Sequence, residues 1–327
     1  MANIQQILSY LGKHCRFTTL PSYDGLREGL EVDEAACEGV ESQFVIPMKF
    51  SKSLKEKKLG EVKKIASHLW GGNEDVRRVF HKIDGVAFHD FYYGRTCPLR
   101  VKVFFSNDFE KTFYAKVLDE KRLFGIELEN MLSPYKYEYS ASGGGIYEDE
   151  VPGIEQSRIN SDTKRDNAYL EELAKLDYRA FVMLLGDLNP NENPHNCLVT
   201  KEFSGDSYTY NVRPIDFDGL FEIKDFQRDL VLSGRREEAA NSIGKDRYHI
   251  LRSFEKESMR KKYCQYYERI NELLDIVGSS DTCNREVRRL GGLLDEYYRD
   301  QNADFKNSKN MGDLFGKHIR LQIVDSK

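Results

Sequence analysis

The chain has 327 residues, 40% of them hydrophobic and 31% charged, which describes a globular protein large enough for two lobes or two modest domains. Its net charge of −5 comes from 49 basic and 54 acidic side chains that are interspersed, so there is no global electrostatic case for a nucleic-acid partner. No apolar run is long enough to span a membrane, the six cysteines form no CxxC pair, and the opening MANIQQILSYLGKHC lacks the features of a signal peptide. These observations predict reduced thiols and a cytoplasmic protein, with leaderless export to another cell as the alternative.

Residues 1–85 read as an extension of helical or mixed structure. Leu54, Leu59, Val62, Ile65, Ala66 and Leu69 recur at helical spacing behind the candidate caps Ser51 and Ser53, and the GGN at 71–73 closes that helix. Its other face carries Lys52, Lys55, Lys57, Lys58, Lys63 and Lys64, a pattern that reads as a solvated face in preference to an anion site. From Val86 the segments VAFHDFYY, LRVKVFFS and KTFYAKVL are rich in aromatic and β-branched residues and predict three antiparallel strands. DEKRLFGIELENMLSP then predicts a helix with Leu123, Phe124, Leu128 and Met131 on one stripe, weakened by Gly125 and ended by Pro134. YKYEYSASGGGIYEDE predicts two further strands, with Gly143, Gly144 and Gly145 as their turn.

After a polar connector, AYLEELAKLDYRAFVMLL predicts a helix that becomes apolar all round at its end, as a buried helix does. GDLNPNENPHNCLV, residues 186–199, follows directly, and exposes Asp187 among several asparagines before strand-like residues resume. CLVTKE and YTYNVRPIDFD predict a hairpin across FSGDS, and the remainder is helical, most clearly at Tyr263, Tyr267, Ile270, Leu274 and Val277.

The order is strands, a lysine, a helix with a glutamate, more strands, a buried helix, an Asp/Asn loop, a hairpin and a second acid. With GDLNPNENPHNCLV and IDFDG it resembles the protein-kinase-like superfamily, whose catalytic loop and metal-binding DFG segment these two motifs match. The GD and DFD lean toward its atypical and small-molecule branches, such as phosphoinositide kinases and aminoglycoside or choline phosphotransferases. The likeness runs from about residue 86 to the C-terminus, and only the two acidic motifs are specific. It implies an α+β, bilobal fold with a small antiparallel β-sheet N-lobe at 86–153, a helical C-lobe at 154–327 and the N-terminal extension at 1–85.

The resemblance also implies ATP with Mg²⁺ or Mn²⁺. Asp187 would orient the attacking hydroxyl and take its proton, while Asn196 and Asp216 would be oxygen ligands of the metal. Asp218 would be a second carboxylate ligand or a turn cap. The usual spacing puts the metal-binding Asn five residues after the catalytic Asp, whereas Asn196 is nine after Asp187, so Asn191 or Glu192 stands as the alternative ligand. Lys116, with Lys102 as its rival, would contact phosphate and pair with Glu127 on the following helix. The glycine-rich loop is thin, leaving backbone amides near Gly94, Arg95 and Thr96 to meet phosphate. Only thirteen positions separate Asp216 from Asp229 of DLVLSG, a faint match to a kinase helix start, and this leaves little room for an activation loop. The expectation is therefore an enzyme that is constitutively competent or is switched by a regulatory partner or a small-molecule, anionic effector, and not by activation-loop phosphorylation. The function this implies is an ATP-dependent phosphotransferase, in first place an atypical protein kinase acting on a protein hydroxyl. A small-molecule kinase comes second, and a pseudokinase scaffold or an AMP transferase on the same fold remain as alternatives.

Overall fold

The computed structural model describes residues 2–14, 19–37, 45–71, 83–91, 98–105, 109–142, 144–185, 194–205, 207–217, 220–221, 241, 243–301 and 303–324. The fold is α+β, and it divides into two compact units, one of residues 1–119 with 137–150 and one of residues 120–136 with 151–327.

The first unit is built on a seven-stranded antiparallel sheet of β1 (Leu30–Val32), β2 (Val45–Phe50), β3 (Ile83–Phe91), β4 (Leu99–Phe105), β5 (Glu110–Val117), β6 (Tyr139–Ser142) and β7 (Gly145–Asp149), in spatial order β1-β2-β3-β4-β5-β7-β6. The three strands expected from VAFHDFYY, LRVKVFFS and KTFYAKVL are β3 to β5, and the two expected on either side of the glycines are β6 and β7, which pair from Tyr139↔Glu148 to Ser142↔Gly145. The 1–85 segment, set apart in sequence, supplies β1 and β2, and β2 pairs with β3 through Val45↔Phe91 to Met48↔Phe88. Alternation along the strands sorts the side chains by face. Phe88, Leu99, Val101, Val103, Phe113 and Ala115 are buried in one cluster with Val62, Ile65, Ala66 and Trp70 of a helix, whereas Arg100, Lys102, Tyr114 and Lys116 alternate with them on β4 and β5.

That helix, α3 (Lys55–Trp70), follows α1 (Ala2–Lys13) and α2 (Tyr23–Arg27) in the chain and buries the stripe read from its periodicity. Ser51 and Ser53 make no side-chain cap; their hydroxyls meet each other at 2.8 Å. Lys58 departs from the expected solvated face, being fully buried. Its ammonium donates to the Gly25 carbonyl at 2.6 Å and the Leu26 carbonyl at 3.0 Å, and reaches Glu61 at 3.3 Å. The terminal carbonyls of α2 carry partial negative charge, which a buried cation satisfies where water has no access.

The second unit contains α4 (Glu120–Leu132), α5 (Asn167–Val182), α6 (Lys245–Gln265), α7 (Tyr267–Ser279), α8 (Val287–Tyr297) and α9 (Met311–Ile319). A three-stranded sheet, β10 (Ser207–Pro214), β9 (Cys197–Ser204) and β8 (Ile154–Glu155), is the expected hairpin with one short strand added. Asp166 caps α5 by accepting from the Ala168 amide at 3.0 Å, and the helix then packs on β10 and α6. Helix α6 buries Tyr248, Leu251, Glu255, Met259 and Tyr263, spaced three and four apart. Among the described residues no helix is long and apolar enough to cross a membrane.

Charges are also buried here. Arg179 of α5 donates to Glu255 of α6 at 3.0 Å, both almost without exposure. Glu129 of α4 is fully buried, and neither carboxylate oxygen has a hydrogen-bond partner. Burial raises its pKa above the ordinary carboxylate value, against the opposing pull of Arg179. Between the ordinary carboxylate pKa and the raised one, the folded chain holds a proton on Glu129 that the unfolded chain has released. Stability falls as pH rises from the ordinary carboxylate pKa through the raised one, and is greatest below both. Glu129→Gln should remove this slope and raise the urea midpoint at neutral pH. A variant whose midpoint follows the wild-type pH profile would show that Glu129 is compensated within the fold.

Candidate site at the mouth of the β9–β10 hairpin

Helix α5 ends in a way that demands explanation. Leu184 has φ 52, a left-handed conformation that a leucine rarely adopts, and it sits where glycine usually closes a helix. The Leu185 amide donates to Ala180 O at 2.9 Å and the Leu184 amide to Phe181 O at 3.2 Å, the two bonds of a Schellman motif. Leu184 and Leu185 are buried, so packing holds the strain. Leu185 then forms an antiparallel bridge with Leu220, and the Phe221 amide donates to Leu184 O at 3.1 Å. Phe221 is itself left-handed, φ 62. Two strained residues thus lie beside a bridge between Leu185, which precedes the 186–199 motif in sequence, and Leu220, which follows IDFDG. Such strain persists only where the surroundings over-determine it, and it concentrates at functional sites.

The hairpin register completes the arrangement. Strands β9 and β10 pair from Ser204↔Ser207 to Cys197↔Pro214, and the next hydrogen bond runs from the Ile215 amide to Asn196 O at 2.9 Å. Asn196 and Asp216 are therefore held at one end of the hairpin, with the nineteen residues from Cys197 to Ile215 between them in sequence. Cys197 is fully buried and its thiol is pushed up to about 12 by that burial, which makes it a packing residue and not a nucleophile.

Helix α4 supplies two contacts to this segment that sequence reasoning missed. Arg122, almost fully buried, donates to Asp216 Oδ1 at 2.7 Å and to the Ile215 carbonyl at 3.0 Å. One turn on, a Cβ placed on Gly125 would stand 2.7 Å from Phe217 Cβ. The glycine that weakened the expected helix is the residue that lets Phe217 lie against it. The only signal in sequence was their shared face, Arg122 and Gly125 being three residues apart. Gly125→Ala would gain up to about 1 kcal/mol of helix propensity, but overpacking of this kind costs about 1–3 kcal/mol and displaces Phe217 beside Asp216. The expected result is a lower urea midpoint. A gain in stability would mean that Phe217 moves aside at no cost.

The expected lysine and glutamate each have a charged partner within their own unit. Lys116 donates to Glu148 Oε2 at 3.0 Å, a diagonal cross-strand pair on the polar alternation of β5 and β7. The rival Lys102 pairs with Glu110 at 2.8 Å and is more exposed. Glu127, fully buried on α4, is ion-paired with Arg269 of α7. Asp187, Asn191, Glu192, Asp218, Gly94, Arg95, Thr96, Gly143 and the DLVLSG segment lie outside the described residues.

Among the described residues no group of three or more His, Cys, Asp or Glu side chains could hold a metal. Asn196 and Asp216 nonetheless offer the oxygen donors that Mg²⁺ or Mn²⁺ prefers, and such ions take one or two protein ligands when phosphates and water complete the shell. The donor set therefore fits a nucleotide-borne cation better than a dedicated metal cage. No protein-family model matches the chain, and no curated protein matches it.

Proposed function

We propose that the chain is an ATP-dependent phosphotransferase of bilobal, kinase-like architecture, acting as an atypical protein kinase. The observation that carries this reading is the hairpin register that sets Asn196 beside the Ile215–Asp216 segment, together with the bridge from Leu185, directly before the 186–199 motif in sequence, to Leu220, directly after IDFDG. The order of elements supports it too: β3 to β5, then α4, then β6 and β7, then buried α5, the loop and the hairpin.

In this reading Asp187 orients the acceptor hydroxyl and takes its proton as the oxygen attacks the γ-phosphorus and the bond to the β–γ bridging oxygen breaks, releasing ADP. Asn196 and Asp216, with Asp218 as a further carboxylate, hold the divalent ion, which neutralises phosphate charge when bound. Arg122 fixes the orientation of Asp216 from a buried position. Lys116 is the phosphate-contacting cation, and its Glu148 partner keeps it on the polar alternation of β5.

A second reading draws on the same contact. The Arg122–Asp216 ion pair occupies one oxygen of the proposed metal ligand, as a scaffold that has given up catalysis would have it. Incubation with ATP labelled on the γ- or the α-phosphate, Mg²⁺ or Mn²⁺, and mixed protein and small-molecule acceptors separates these readings. Transfer of the γ label supports the phosphotransferase, transfer of the α label replaces it with AMP transfer, and transfer of neither leaves the scaffold.

A further inference from the structure

The carbonyl of Phe181 has two donors. One is the Leu184 amide at 3.2 Å, part of the motif that ends α5, and the other is Nε2 of His318 on α9 at 3.0 Å. A carbonyl only accepts, so Nε2 carries the proton, and Nδ1 of the neutral ring is left as an acceptor. Tyr298, the residue after α8, meets that nitrogen with its hydroxyl at 3.2 Å, and Gln322 Nε2 donates to the same Tyr298 oxygen at 2.5 Å. Each link has the direction its neighbour requires: amide to phenol, phenol to imidazole, imidazole to carbonyl.

The circuit closes on α5. Tyr178, one turn before Phe181, donates from its hydroxyl to Gln322 O at 3.2 Å. Gln322 lies in the segment Arg320–Val324, a π-helix that continues from α9, and this rare conformation occurs mostly at functional sites. His318, Tyr298, Gln322, Tyr178 and Phe181 are all buried, so no stretch of the circuit exchanges its partners for water. The imidazole also stands edge-to-face with the rings of Phe181, Tyr298 and Phe305, at 5.1, 5.9 and 6.4 Å between centroids, and this packing fixes its plane.

What the circuit grips is the turn at which α5 ends. Leu184 is left-handed there, a conformation that a leucine keeps only where its surroundings over-determine it. Apolar packing is non-directional, whereas a hydrogen bond to the carbonyl that also accepts the Leu184 amide sets an orientation. We infer that His318 is a positioning residue: by bonding the Phe181 carbonyl it fixes the left-handed turn from which the 186–199 segment departs, and through that turn it sets the turnover of the site. The hold on the turn stands on these contacts alone, and the effect on turnover rests on the phosphotransferase reading.

The test is amide hydrogen exchange of the full chain, read by mass spectrometry on overlapping peptides, together with steady-state kinetics. His318→Gln and His318→Asn divide the imidazole between them, since a glutamine amide nitrogen comes near the place of Nε2 and an asparagine amide nitrogen near that of Nδ1. Tyr298→Phe removes only the hydroxyl that orients the ring. In His318→Asn the amides of Leu184, Leu185 and Phe221 should exchange about tenfold faster, the factor for one buried hydrogen bond, while those in the first half of α5 stay as in wild type. His318→Gln should restore most of the protection, and Tyr298→Phe should fall between. In transfer of the γ-phosphate, His318→Asn should lower kcat by about tenfold or more at unchanged KM for ATP, because a misplaced group costs rate and not nucleotide binding, and His318→Gln should recover it. If His318→Asn is poorly folded, Tyr298→Phe against wild type carries the comparison. Equal exchange in the two His318 variants, or acceleration spread evenly through α5 and α9, overturns the hold on the turn. Faster exchange at the turn with unchanged kcat overturns the positioning role. A wild type that transfers no phosphate refutes the phosphotransferase reading and with it the effect on turnover, and the exchange comparison still decides the hold on the turn.

Discussion

Asp216→Asn is expected to lower ATP-dependent turnover by about 100-fold or more, the scale seen when one group stabilising transition-state charge is removed. The amide keeps an oxygen for the Arg122 guanidinium to bond but loses the charge that a phosphate-bound cation requires. Thermal stability should therefore stay close to wild type. Asp216→Ala is a worse probe, because it also removes the carboxylate that Arg122 meets at 2.7 Å from a buried position. Arg122→Met is the complementary variant: it leaves Asp216 its charge and removes its orientation. Steady-state kinetics on this pair separate ligand from positioning residue. Loss of turnover in Asp216→Asn with retention in Arg122→Met would make the ion pair a mere tether. Full activity in Asp216→Asn would remove Asp216 from the chemistry.

Arg179→Ala is expected to destabilise the chain by about 3–5 kcal/mol, the cost of leaving a buried partner charge uncompensated. Arg179 and Glu255 are nearly unexposed, and the field of Arg179 is also what partly offsets the burial of Glu129. Since folded proteins are stable by only about 5–15 kcal/mol, this one change should lower the urea midpoint severely. The double replacement Arg179→Met with Glu255→Leu should recover much of the loss, because apolar residues of similar volume avoid desolvating both charges. A contrasting pair joins the same two helices at the surface: Arg247 on α6 meets Glu171 on α5 at 2.8 Å with its side chain half exposed. Breaking it should have no resolvable effect. Equal effects from the two pairs would contradict the burial argument.

Much of the architecture was legible because it rests on local repetition. Strands β3 to β7 announced themselves by alternating aromatic and β-branched residues, α5 by a stripe turning apolar all round, and the β9–β10 hairpin by two such runs across a turn. What stayed hidden depends on distant partners. Lys58 looked like one lysine of a solvated face, and only the carbonyls of Gly25 and Leu26, 33 and 32 residues away, make its burial affordable. Arg122 finds Asp216 across 94 residues, and Glu127 finds Arg269 across 142, a pairing that no helical spacing could suggest. Gly125 read as a flaw in a helix because its purpose is the closeness of Phe217. Strands β1 and β2 escaped because LEV is short and VIPMKF carries a proline, both weak signals for a sheet edge region. The strain at Leu184 left no trace at all, since nothing in an apolar run reveals which residue must turn left-handed.

The measurement that bears most directly on the proposed phosphotransferase is the thermal midpoint of wild type and Asp216→Asn with ATP alone, Mn²⁺ alone and both together. Binding of a ligand to the folded state raises the midpoint, by an amount that grows with the logarithm of its concentration over Kd. The account predicts a rise in wild type only when ATP and metal are present together, and no such rise in Asp216→Asn. An equal rise in both proteins, or no rise in either, would contradict it.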